Sequence, residues 1–275
     1  MYLAVDIGGT KTLLAVFNDS GELSKHVKFP TSNNYKDFLH VFTDKIEDLG
    51  NIDYKAGAVA IPGLVDRKEG IGIRLGNLDW KNFHIQTDLE KIVKTPFVVE
   101  NDAKAGGLYE ANLIKNDFKK VLYITIGTGI GIALITDGVI NTEMSDRGGN
   151  SIMLDLNGRS QSWEQTVSGK AIVKKYGQKA SDITDDEAWK HISKDIAAGL
   201  INVLAITQPD VVIMAGGVGA QYGKFEKYLK AELKRYETPM MSIPPLRPAK
   251  KPEEAVIYGC FELIKQNYGH HFKSA

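Results

Sequence analysis

"YLAVDIGGTKTLLAVFNDSGEL", residues 2–23, decides the fold, because its pattern returns once, as "VLYITIGTGIGIALITDGVI" at residues 121–140. Each copy runs strand, Gly/Thr turn, strand, acidic turn, third strand. Tyr2 to Ile7 and Leu13 to Phe17 are short apolar runs rich in β-formers, and Gly8-Gly9-Thr10-Lys11 between them has the composition of a hairpin turn. The turns correspond as Gly8-Gly9-Thr10 and Gly127-Thr128-Gly129, and the far ends as Asn18-Asp19-Ser20-Gly21 and Thr136-Asp137-Gly138. Two copies are too few for a solenoid. They predict two related α/β lobes that can face each other across a cleft, each bringing one glycine turn. Gly-Gly turns also join strands for conformational reasons alone. What adds chemistry to the first is Asp6 at the strand end, beside backbone N–H groups that can approach an anion and the Thr10 hydroxyl.

Between the copies, "YKDFLHVFTDKIEDLG" has helical spacing with Gly50 as its C-cap, and "AGAVAIPGLVD" is a buried strand running into a Pro62-Gly63 turn. "TPFVVENDAKAGGLYEA" gives strand, acidic corner and helix, with Asp102 opening the helix. That corner, Glu100-Asn101-Asp102, lies at a strand's carboxyl end, where α/β proteins gather chemistry. Residues 141–162 are polar and glycine-rich, a loop by composition. Helices resume near Trp163 and through "DEAWKHISKDIAAGLINVLAITQ", and Val211 to Met214 form a buried strand ending in Gly216-Gly217-Val218-Gly219. "TPMMSIPPLRPAKKPEEA" is a proline-rich connection to a closing helix. The expected lobes are residues 1–116 and 117–253, with the helix at 254–268 free to return to the first.

Lys plus Arg and Asp plus Glu stand at 34 each in 275 residues, so no global field favours nucleic acid or an anionic membrane. An anion site must therefore be local. No apolar run approaches the roughly 18 residues of a membrane span, and no cleavable apolar segment precedes the first strand, so the expected compartment is the cytoplasm. Cys260, the single cysteine, sits in the apolar helix "AVIYGCFELIK" and is expected to be core filler. It excludes an intrachain disulfide and a multi-cysteine zinc cage.

Seven stretches in order resemble the ROK family of sugar kinases, which has the actin-like ATPase (ribonuclease H-like) fold. They are "DIGGTKT" at 6–12, "IPGLVD" at 61–66, "NLDW" at 77–80, "ENDAKAGGLYE" at 100–110, "IGTGIGIALITDG" at 126–138, "WEQTVSGKA" at 163–171 and "AGGVG" at 215–219. The resemblance implies transfer of the γ-phosphoryl of ATP to a sugar hydroxyl, a reaction that asks mostly for positioning and charge neutralisation. By that resemblance the first turn, Gly8, Gly9, Thr10 and Lys11, cradles phosphate, and Asp6 orders Mg²⁺ through water. Gly127, Thr128 and Gly129 approach the phosphates from the second lobe, and Gly216 and Gly217 let backbone pass close to the adenosine. Asp102 matches the family's catalytic base, with Asn101 binding a neighbouring hydroxyl; the alternative is an Asn-Asp helix N-cap. Asn77 resembles a sugar contact, while Trp80 reads equally as a core aromatic.

One region departs from the family. Most members carry Glu-x-Gly-His and a cysteine cluster that holds structural zinc; here Arg147-Gly148-Gly149-Asn150 stands there, and no cysteine lies between 127 and 259. No structural zinc is expected, and the six histidines are too scattered to replace the cage. Asn150 can donate to a sugar hydroxyl where the histidine would have done so. Glu164 matches the family's later sugar-binding glutamate, or else sits in a first helical turn favoured by the dipole. The missing pair leaves the sugar open between glucose, the first expectation, and N-acetylmannosamine or another hexose or N-acetylhexosamine. A repressor is disfavoured because Asp6 leaves no room for a DNA-binding domain before it, and a non-catalytic sensor by the retained Asp6, Asn101, Asp102 and glycine turns. The family resemblance also implies a homodimer as an option.

Overall fold

The computed structural model describes residues 1–76, 78–156 and 158–269. Its chain divides into two compact units: Met1–Tyr109 with the segment from Glu254 onward, and Glu110–Glu253. The first unit begins with an antiparallel meander of β1 (Tyr2–Ile7), β2 (Lys11–Phe17) and β3 (Leu23–Pro30). There follow α1 (Tyr35–Leu49), β4 (Ala56–Ile61), β5 (Gly63–Asp66), β6 (Ile71–Leu75), β7 (Lys81–Phe83), α2 (Ile85–Val93), β8 (Phe97–Asn101) and α3 (Asp102–Asn112). The second unit has a meander of β9 (Lys120–Ile126), β10 (Ile130–Thr136) and β11 (Val139–Ile140), then the hairpin β12 (Met153–Leu156) and β13 (Arg159–Ser162). It continues with α4 (Trp163–Val167), α5 (Gly169–Tyr176), α6 (Asp186–Thr207), β14 (Val211–Ala215), α7 (Gly216–Gly219), α8 (Tyr222–Lys234) and β15 (Leu246–Pro248), and α9 (Ala255–Tyr268) closes the described chain.

The internal repeat becomes a repeat of topology. One sheet has the order β3-β2-β1-β4-β8 and the other β11-β10-β9-β14-β15. Counting only the strands of each sheet in chain order, both run third, second, first, fourth, fifth. Both pair the first three strands antiparallel and add the last two parallel to the first. Both faces of β1 and β2 are covered, which is why their sequences are near-continuous apolar runs. Leu3, Val5, Ile7, Leu14 and Val16 are fully buried on one face, against Phe38 and Phe42 of α1. On the other face α9 packs on β1 and β4, and Cys260 is fully buried, its Sγ toward the Val5 carbonyl. Burial pushes its thiol up, which makes it a poor nucleophile.

The second core forms around Trp163, Trp189, Ile196, Leu200 and Phe225, none more than 1% exposed. Helix α6 supplies Trp189, Ile192, Ile196, Leu200 and Val203 at helical spacing, and the Asp185 side chain caps its start by accepting from Glu187 N and Ala188 N.

Three segments differ from the sequence expectation. Within the expected loop 141–162, Met153↔Ser162 and Leu154↔Gln161 pair as a hairpin. Its second strand, Arg159-Ser160-Gln161-Ser162, is too polar to show β-propensity, and the turn is secured by Asp155 accepting from Gly158 N. The proline-rich connection contains β15, where Val212 pairs with Leu246 and Met214 with Pro248. Proline has no N–H for a ladder, so it is tolerated because β15 is the sheet edge. Finally, β5, β6 and β7 form a separate antiparallel sheet, where the sequence shows only the Pro62-Gly63 turn and the "NLDW" stretch. No helix among the described residues is long and apolar enough to cross a membrane.

Candidate active site

In the first unit the chemistry gathers at the carboxyl ends of the parallel strands β1, β4 and β8. Gly8 follows β1, and its N–H donates to Lys11 O at 2.9 Å, closing the turn. A Cβ on Gly8 would lie 2.8 Å from that oxygen, so only glycine fits. The N–H groups of Gly9 and Thr10 make no hydrogen bond among the described residues and stand at the surface, which suits an anion. Lys11 is exposed beside them.

What holds this turn in shape is a residue the sequence did not disclose. Thr31, just past β3, donates its hydroxyl to Gly8 O at 2.9 Å and its N–H to Thr10 O at 3.0 Å. Behind it the fully buried Thr12 hydroxyl lies 2.9 Å from the Thr31 hydroxyl, and, since Thr31 gives its proton to Gly8, Thr12 donates to Thr31. Replacing Thr31 by Val keeps the shape but strands Gly8 O and the Thr12 proton. Thr31→Val is expected to lower unfolding free energy by about 1–3 kcal/mol, measured by urea titration.

Asp6, the next-to-last residue of β1, is partly buried, and neither of its carboxylate oxygens receives a hydrogen bond among the described residues. Its pKa is pushed up to about 7, first by desolvation and then by the Asp102 carboxylate, with Lys28 pulling it down. A partly buried acid without a donor, facing a second carboxylate, is a donor set that fits a divalent cation.

The corner after β8 is built tightly. Glu100 is buried and paired with Arg67: Arg67 Nε reaches both carboxylate oxygens at 3.0 Å, Nη2 reaches Oε1, and Asn101 N adds a bond of 2.7 Å. Asn101 is 4% exposed; its Oδ1 accepts from Lys104 N at 3.1 Å and its Nδ2 donates to Gly63 O at 3.0 Å. Asn101 therefore caps α3 and ties the end of β8 to the strand after β4. Asp102 is then the first helical residue, partly exposed, with Oδ1 accepting from Ala103 N at 2.8 Å. Of the two readings of the Asn-Asp pair, the cap falls on Asn101, which leaves the Asp102 carboxylate the better placed of the two for chemistry.

Trp80 belongs to the core. Its ring lies 4.8–5.4 Å from Tyr35, Phe38 and Phe83, and its Nε1 donates to Asn33 O. A cavity of about 500 Å³ opens beside this cluster, lined by Asp79, His84 and Asp88 among others, and does not include the glycine turn. The predicted sugar contact Asn77 lies outside the described residues.

In the second unit the elements meet at the carboxyl ends of β9 and β14. Gly127-Thr128-Gly129 joins β9 to β10, closed by Gly127 N donating to Gly129 O at 2.9 Å; the N–H groups of Thr128 and Gly129 have no partner among the described residues. Glu164 reaches this turn, its Oε2 accepting from Ile130 N at 2.8 Å. Gly148 and Gly149 are buried against Ile130, and Asn150, exposed at the end of the same short turn, has a side chain without a partner among the described residues. Arg147 beside it is exposed as well. Gly216 has φ +77°, and a Cβ there would lie 2.6 Å from the Ile126 carbonyl, so it is needed for close packing on β9. Gly217 is open, with nothing within 4 Å of where a Cβ would stand.

Two sheets of the same strand order, each ending in a glycine turn with unused N–H groups, define an α/β protein of the actin-like ATPase fold. The sequence profile of the ROK family matches residues 2–267, and the chain belongs to that family. An N-acetylmannosamine kinase of Vibrio cholerae is 26% identical, the match covering 96% of this chain and 99% of the relative. A glucokinase of Streptomyces coelicolor is also 26% identical, over 78% of this chain and 81% of that one. Among solved structures, the ROK family glucokinase of Streptomyces griseus in complex with glucose and AMPPNP superposes with a TM-score of 0.80 at 21% identity, covering 97% and 99% of the two chains.

Proposed function

We propose that this chain is an ATP-dependent hexose kinase that moves the γ-phosphoryl of MgATP to the 6-hydroxyl of its sugar, with glucose as the first candidate. The observation that carries it is the pair Asp6 and Asp102, close enough for one charge to raise the other's pKa, beside a turn with two unused N–H groups. In this reading Asp102 accepts the proton of the attacking hydroxyl, and its place on the first turn of α3 fixes where that proton goes. The Gly9, Thr10, Thr128 and Gly129 N–H groups hold phosphate oxygens through backbone alone, and Lys11 adds a charge. Asp6 would hold Mg²⁺, which when bound neutralises charge on the transferring phosphate. Asn101, Asn150, Glu164 and Asn77 are the sugar contacts in this proposal, Asn101 through the lone pair and proton its structural bonds leave over. Gly217 gives the open backbone for adenosine, and Gly216 sets its position.

N-acetylmannosamine is the second reading, favoured by the Vibrio cholerae relative's near-complete coverage. Coupled ADP-release assays over glucose, mannose, fructose, allose, glucosamine, N-acetylglucosamine and N-acetylmannosamine test both. One sugar is expected to give a kcat of roughly 1 to 10³ s⁻¹. Silence across the panel with ATP still bound points instead to a sugar or nucleotide sensor.

The proposal includes no structural zinc. Gly148 and Gly149 pack on Ile130, and Ser151 Oγ donates to Gly148 O at 2.9 Å, so packing and hydrogen bonds hold this loop. Elemental analysis of purified protein is expected to find none; one tightly held zinc per chain would overturn this part.

A further inference from the structure

The sugar role assigned to Glu164 leaves one of its features unexplained: half of its carboxylate is already engaged elsewhere. The capping box of Ser162 and Gln165 fixes the start of α4, and with it the base of the Glu164 side chain. From there Oε2 accepts from Ile130 N at 2.8 Å. A Cβ on Gly129 would stand 2.5 Å from that oxygen and 3.1 Å from Cδ, so the carboxylate fills the space beneath Gly129. Five residues on, at the start of α5, Gly169 N donates to Gly127 O at 2.6 Å, and a Cβ on Gly169 would lie 2.7 Å from the same oxygen. Both ends of the Gly127-Thr128-Gly129 turn are thus bonded to the α4–α5 segment. The two N–H groups left over, those of Thr128 and Gly129, are the ones the turn can offer to an anion. A favourable helix dipole at Glu164 accounts for neither the bond to Ile130 nor the fit under Gly129.

We propose that Glu164 is a positioning residue for the nucleotide. Its Oε2 sets the shape of the 127–129 turn through Ile130, while Oε1, which has no partner among the described residues, is the oxygen available to the sugar. One carboxylate then serves both substrates. The inference rests on the kinase reading and deepens it, because it predicts that a residue assigned to the sugar also controls phosphate binding.

The substitutions separate the two duties. Gln keeps the length of Glu and a carbonyl that can accept from Ile130 N; Ala keeps neither. Calorimetric titration of MgAMPPNP into the full chain is expected to show affinity within about threefold of wild type for Glu164→Gln and at least about tenfold weaker for Glu164→Ala. The sugar KM is expected to rise in both, since both remove the charge. This split between nucleotide and sugar is one that general loss of structure would not produce. Gly129→Ala is the second variant, because its methyl group displaces Oε2 while leaving Glu164 in the chain, and it too is expected to weaken MgAMPPNP by about tenfold. Wild-type affinity for MgAMPPNP in both Glu164→Ala and Gly129→Ala would overturn the inference alone. A wild-type protein that binds no MgAMPPNP would overturn the kinase reading and the inference with it.

Discussion

Asp102→Asn is expected to lower kcat by about 10²- to 10⁴-fold while leaving sugar affinity within a few-fold of wild type. The substitution is nearly isosteric. Asn keeps an Oδ1 that can accept from Ala103 N, the bond Asp102 makes at 2.8 Å, and α3 is capped by Asn101 rather than by Asp102, so the helix start survives. What is lost is a group that can take a proton at neutral pH, since a neutral amide is not a base. A second effect runs the other way. Removing the Asp102 charge removes one of the causes that raise Asp6, so the Asp6 carboxyl is expected to titrate lower in the variant. Single-turnover kinetics together with sugar calorimetry check the result. A variant with near-normal kcat would sink the assignment of Asp102 as base, and one with lost sugar binding and a collapsed melting transition would recast it as structural.

How much of this was legible in the sequence depends on how far apart the partners lie. The hairpins of the two copies are local: Ile7 pairs with Thr12 and Ile130 with Ile126, and paired apolar runs around a glycine turn show them directly. The acidic corner was legible for the same reason, because Glu100, Asn101 and Asp102 are consecutive at the end of an apolar run. The supports behind these features were not. Thr31 lies 23 positions from Gly8, Arg67 lies 33 from Glu100, and Asn101 lies 38 from Gly63. A threonine at a strand end or an arginine in a turn carries no sign of a distant partner. Strand β15 was hidden differently, since its prolines argue against any strand but an edge, and the sequence does not say where the edge is. The β12–β13 hairpin escaped because alternation needs apolar residues to be visible, and Arg159 to Ser162 has none.

Asp6→Asn is expected to abolish metal-dependent phosphoryl transfer and, at the same time, to make the protein more stable above neutral pH. The sign follows from the raised carboxyl. In the folded chain Asp6 titrates at about 7, against about 3.9 in an unfolded one. Between those values the folded state holds a proton that the unfolded state has released. Stability contributed by the protonated acid is therefore lost as pH rises from about 4 through 7, and the loss is complete above that. The rise from 3.8 to about 7 is worth at most about 4 kcal/mol, and about 2 kcal/mol once the carboxylate's partial exposure is allowed for. Asn carries no charge at any pH, so metal-free Asp6→Asn is expected to exceed wild type by about that amount at pH 8 and to match it near pH 4. Mg²⁺ favours the ionised carboxyl, so it should stabilise wild type at pH 8, far less at pH 5, and leave the variant unmoved. Activity is expected to fall by at least about 10²-fold, since a preorganised charge at the transferring phosphate is lost. Thermal melts at the three pH values, with and without Mg²⁺, decide the matter. A variant no more stable than wild type at pH 8 would show that the Asp6 carboxyl is not raised, and one that still responds to Mg²⁺ would show that the cation is held elsewhere.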